Sequence, residues 1–190
     1  MANKDAAFGL KPIGKVGQNG DNQGLSEYSI AASASAIYQN DPVQMLNTGT
    51  IGVSSTSGNV LIGSLNGVFY TDANTSKPTY ANHLDASNTA TDIVGFVSDD
   101  PYERFEVQSD NTGASAATDI GNCADLVYAA GSAANYVSKA ELDDGTLTTA
   151  TAQLKILGVS KDPENNEIGS ANVNFVVTIN EHFIKAGAGI

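Results

Sequence analysis

The segment Asp92–Gln108, DIVGFVSDDPYERFEVQ, limits the fold more than any other part of the chain. Ile93, Val94, Phe96 and Val97 form a short apolar run, and Ser98-Asp99-Asp100-Pro101 then turns the chain. Arg104, Phe105, Glu106, Val107 and Gln108 alternate with period two, which predicts a strand with one packed face and one wet face. Ile156–Pro163, ILGVSKDP, repeats the phrase in shortened form. A chain written this way builds its core from short strands and places its polar residues in turns.

Composition agrees. Charged residues are only 16% of the chain, against about 25% in ordinary domains. Asn, Ser, Thr and Gly carry the polar share instead, and these favour turns and sheet surfaces over long exposed helices. With 41% hydrophobic residues over 190 positions, the chain has material for one compact domain or two small ones. The expected class is all-β: a compact β-barrel or β-sandwich body with an extended N-terminal arm.

Net charge narrows the partners. At −12, with nine scattered basic residues, the chain lacks the cationic surface that nucleic-acid binding needs, and an anionic membrane would repel it. Cys123 is the only cysteine, so an intrachain disulfide is ruled out and folding in a reducing cytoplasm is expected. No stretch reaches the ~18 consecutive apolar residues of a membrane span, and MANKDAAFGLKPIG does not read as a signal peptide.

Residues 1–24 are rich in Gly, Asn and Gln, with Phe8, Leu10, Ile13 and Val16 as isolated apolar anchors. Pro12 and the glycines at 9, 14, 17 and 20 disfavour a helix. Such a segment either frays or docks elsewhere as an arm, for which those four residues are the candidate contacts. Residues 25–184 are expected to form a single β-rich domain, and 185–190 a flexible tail. Within the domain, Ile51–Val53, Val60–Ile62, Val68–Tyr70, Leu154–Val159 and Val173–Ile179 read as strands, the last as a central one. Asn66-Gly67 is the strongest hairpin signal. Residues 71–91 read as a long surface loop. Phe96, Phe105, Val107, Ile156, Phe175 and Val177 are the predicted core.

No chemistry is written into this framework. His83, Cys123 and His182 lack metal-ligand spacing. Asp72-Ala73-Asn74-Thr75-Ser76 opens like a calcium loop but has neither the sixth-position glycine nor the closing glutamate. There is no G-x-S-x-G elbow and no phosphate loop. Asp99/Asp100 and Glu103/Glu106 are placed in a turn and on a wet strand face, where solvation accounts for them. Cys123 reads as a buried packing thiol. No catalytic residue, metal or cofactor is expected; with no Trp and 7% aromatics an aromatic sugar platform is not evident, though Tyr70, Tyr80 and Tyr102 could contribute to one.

Four phrases carry a resemblance: MANKDAAFGLKPIGKVG at the start, LNGVFYTD at 65–72, DIVGFVSDDPYERFEVQ at 92–108 and INEHF at 179–183. Together they resemble a family of tailed-bacteriophage virion structural proteins from phages of marine and aquatic bacteria, usually described as capsid decoration, or cement, proteins. The resemblance spans nearly the whole chain and brings no catalytic motif. It implies a β-rich protein assembled in the bacterial host cytoplasm onto the outer surface of the virion head, with the major capsid protein as partner. By analogy with other decoration proteins, it also implies a homotrimer. The alternatives are a virion-surface module that binds a host glycan through the 71–91 loop, and a tail or neck component.

Overall fold

A computed structural model describes residues 3–17 and 24–185, and it is all-β. Its strands are β1 (Lys11–Lys15), β2 (Ser26–Ser29), β3 (Pro42–Met45), β4 (Ile51–Val53), β5 (Gly63–Thr71), β6 (Pro78–Ala81), β7 (Val94–Ser98), β8 (Glu103–Gln108), β9 (Cys123–Ala124), β10 (Leu126–Val127), β11 (Glu141–Leu142), β12 (Leu154–Val159) and β13 (Asn174–Ile179). One antiparallel sheet runs β1-β8-β13-β12-β9; a second runs β2-β7-β5-β3-β4, with β6 added alongside β5. β10 and β11 form a short separate ribbon. None of the described helical segments is long and apolar enough to cross a membrane.

Each sheet buries one face in its own apolar cluster. Phe105, Val107, Leu154, Ile156, Phe175, Val177 and Ile179 fill the first, joined by Leu126 and Leu142 from the ribbon. Ile30, Val43, Ile51, Leu65, Val68, Ile93 and Val97 fill the second. Alternation along each strand supplies these faces, because successive side chains point to opposite sides of the sheet. β13 lies between β8 and β12, the central position its β-branched sequence predicts.

The Asp99-Asp100-Pro101 turn connects two sheets rather than the arms of a hairpin. β7 belongs to the second sheet, and β8 to the first. The turn's carboxylates tie both sheets down. Asp99 accepts from the Ser26 hydroxyl at 2.9 Å and the Tyr28 hydroxyl at 2.7 Å, both on β2. Asp100 pairs with Lys15 on β1 at 2.8 Å. The Lys15 ammonium holds the Asp100 carboxyl below the usual carboxylate range.

Four expectations need correcting. Asn66-Gly67 makes no hairpin: it lies inside β5, where the register against β7 slips between Leu65 and Gly67. Asn66 is the extra residue of a β-bulge, a second use of the same dipeptide chemistry. Residues 71–91 are not one loop, because Pro78–Ala81 pairs with β5; proline at the start of an edge strand costs no ladder bond. Phe96 is only half-buried, since Gly95 and Val97 take the inward positions on β7. Glu103, Glu106 and Gln108 are buried rather than wet, because the N-terminal segment covers them.

That segment is therefore not an arm over the residues described. β1 is a strand of the first sheet, and Leu10 is fully buried in its core. Gln108 accepts from the Ala6 amide at 2.8 Å and donates to the Lys4 carbonyl at 3.0 Å. Glu103 accepts from the Gly14 amide at 3.0 Å. Gly9 has φ +76° and passes so close to Asn40 and Ser138 that a Cβ would lie 2.4 Å from each. Buried polar atoms on β8 need partners, and the N-terminal backbone provides them. Residues 1–2, 18–23 and 186–190, which include most of the expected tail, lie outside the described residues.

Candidate interaction surface

The four N-terminal anchors separate in space. Leu10 is in the core and faces no partner. Phe8 is half-buried; its carbonyl accepts from the Asn40 side chain at 3.1 Å, and the Lys11 ammonium lies 5.9 Å from its ring centroid. Ile13 and Val16 remain outward, 37% and 49% exposed. β1 ends the first sheet, so its outer edge takes no strand among the described residues. Two apolar side chains at or just beyond an open strand edge make the first surface suited to a neighbouring chain.

The second surface is the outer face of the second sheet. On β5, Val68 points into the core and Phe69 to the opposite side. Phe69 pairs in register with Tyr80 on edge strand β6, and their rings sit 4.7 Å apart at 48°. On β7, Phe96 faces Gly67 across the ladder. The Tyr80 and Phe96 rings approach to 6.0 Å and lie nearly parallel, at 13°. Tyr80, although it touches both rings, is 73% exposed.

Tyr80 and Phe96 border a shallow depression of about 400 Å³, lined also by Leu25, Gln39, Asn66 and Asn82. Asn82 donates to the Gln39 side-chain carbonyl at 3.3 Å, and His83 Nδ1 lies 2.9 Å from Asn82 Oδ1. His83 in turn stacks on Tyr136 at 3.7 Å. The amide is held from both ends. Of the three tyrosines that could contribute to a sugar platform, only Tyr80 is here. Tyr70 packs against the inner core, and Tyr102 sits in the Asp-Pro turn with the Lys185 ammonium 4.6 Å from its ring centroid. Sequence reading missed Phe69 and Phe96 as partners of Tyr80, because their proximity depends on strand pairing and on the bulge at Asn66.

Burial is the first cause of the shifts in the buried titratable groups. Burial pushes the Asp41 carboxyl up to about 6, although the Tyr38 amide bonds it at 2.7 Å. Burial first, then the neighbouring Asp110, raises Asp144 to about 6. Burial, with Asp5 and Asp110 nearby, raises Glu141 to about 7. Burial and then Lys185 push His182 below the ordinary imidazole value. Among the described residues, no three His, Cys, Asp or Glu side chains converge on a metal position. Asp72 instead closes its own turn, accepting from the Asn74 and Thr75 amides and the Thr75 hydroxyl. Cys123 is buried.

No family model matches this chain, and no curated protein or solved structure matches it.

Proposed function

We propose that this chain is a bacteriophage capsid decoration protein that binds the outer surface of the virion head, as a homotrimer, and stabilises it by bridging major capsid subunits. The reading rests on the resemblance of its sequence phrases to that family. The observation that carries it in the fold is β1: an open strand edge with Ile13 and Val16 turned outward, backed by a segment sewn into the body. A docking strand that is already ordered loses little conformational entropy on binding, and its main-chain groups can extend the sheet into a neighbour.

Cementing requires contacts and no chemistry. A protein that binds only the assembled shell stabilises it by mass action, and several weak sites on one oligomer multiply their effect. The net charge of −12 keeps the free protein soluble and suits the solvent side of the particle. Particles with and without the protein are compared for rupture temperature and genome retention on heating and in low salt. Decorated particles should rupture at higher temperature, and equal values in both tests would defeat the proposal.

A further inference from the structure

The depression beside Tyr80 and Phe96 combines an exposed aromatic ring with uncharged amide side chains. Its lining holds no charged side chain, although the chain has 21 acidic and nine basic residues. Its polar groups are the amides of Gln39, Asn66 and Asn82. We propose that it is a binding site for a neutral saccharide, with Tyr80 as the stacking residue and Asn82 and Gln39 as hydroxyl partners. This inference does not rest on the capsid reading and holds wherever the protein resides.

The chemistry follows from the groups present. One face of a pyranose ring is a row of C–H bonds that packs on an aromatic face, and its rim is a ring of hydroxyls. Tyr80 offers the exposed ring, braced by Phe69 and Phe96. Amides suit the hydroxyls because each both donates and accepts. The Asn82 amide is fixed between Gln39 and His83, so little side-chain freedom is lost on binding. A depression of about 400 Å³ lies within the ordinary range of small-ligand sites, roughly 300–1,000 Å³.

Charge selects among occupants. Glu27 on β2 pairs with Phe96 and is exposed, so a carboxylate stands beside the rings. With the net charge of −12, it disfavours acidic sugars and other anions. A second copy fits poorly: in a twofold contact each concave face would meet another concave face, and each Glu27 would approach its counterpart.

The test uses the full chain on an array of neutral oligosaccharides of glucose, mannose, galactose, N-acetylglucosamine and fucose, with acidic glycans alongside, followed by titration of free oligosaccharides in solution. Tyr80→Ala, at an exposed position, should keep the melting temperature while weakening binding about tenfold or more. Asn82→Ala should weaken it further, and Tyr102→Ala should leave it unchanged. Absence of any neutral ligand on the array, preference for acidic glycans, or binding untouched by Tyr80→Ala would each overturn the proposal. So would sedimentation showing that Tyr80→Ala dissolves a self-associated species, which would make this face an interface between copies.

Discussion

Leu61 and His182 form a parallel β-bridge that joins the two sheets. The Leu61 amide donates to the Glu181 carbonyl at 3.0 Å, and the Phe183 amide donates to the Leu61 carbonyl at 2.7 Å. Leu61 belongs to the first core cluster, and its neighbour Ile62 to the second. Fully buried His182 sits at this seam, its Nδ1 accepting from the Ile184 amide at 3.1 Å.

The position of His182 gives a pH effect of definite sign. Its folded-state pKa lies below the ordinary value. The stability it permits is therefore complete above about 6.5 and is lost as pH falls toward the folded value. His182→Gln should gain stability relative to the parent as pH is lowered from 8 to 5, measured by thermal melts at matched ionic strength. A constant offset between the two curves would show that the ring does not titrate in this window.

The buried carboxyls act in the opposite direction and outnumber it. Glu141, Asp41 and Asp144 have folded values raised to about 7, 6 and 6. Their penalty is absent below the ordinary carboxylate range and grows as pH rises toward the folded values. The melting temperature should climb when pH is lowered from 8 to 5. Glu141→Gln should flatten the part of that climb between about 7 and 4.5, and an unchanged slope would remove Glu141 from the account.

Phe105, 1% exposed, lies at the middle of the first core. Phe105→Ala should cost about 3–5 kcal/mol, read by denaturant unfolding. Phe96→Ala, on the half-buried outer face, should cost clearly less. Equal losses would contradict the inward and outward assignments on β7 and β8.

Leu10 tests the integration of the N-terminal segment. Leu10→Ala should cost about 2–5 kcal/mol because it empties a fully buried site. Ile13→Ser and Val16→Ser should barely move the melting temperature yet reduce occupancy on particles. Deletion of residues 1–17 should destabilise the body, and an unchanged melt would restore the arm.

Two strand glycines separate close backbone approach from open space. A Cβ on Gly63 would lie 1.9 Å from the Ser98 carbonyl oxygen, whereas one on Gly158 meets nothing within 4 Å. Gly63→Ala should destabilise strongly. Gly158→Ala should be neutral or gain about 0.4–1 kcal/mol through the unfolded state. Comparable unfolding midpoints for the two variants would be incompatible with this packing of β5 on β7.

The sequence alone determined the class of structure. Alternation over Arg104–Gln108 and the β-branched run at 173–179 specify strands, since side-chain period is a property of the backbone itself. Five of the six predicted core residues are buried for that reason. Only the tertiary structure decided what each strand face meets. The alternation that buries Phe105 puts Glu103 on the same face and Glu106 on the opposite one, and it was the N-terminal segment, 89 and 95 positions earlier in the chain, that supplied a partner to each. Asn66-Gly67 announced a turn and became a bulge, because β5 gains more from pairing on both sides than from reversing at that point. Tyr80, Phe69 and Phe96 come together through the pairing of β6, β5 and β7. Local rules assign a residue to a face; long-range register assigns that face its neighbours, and it was register that assembled the outer aromatic surface.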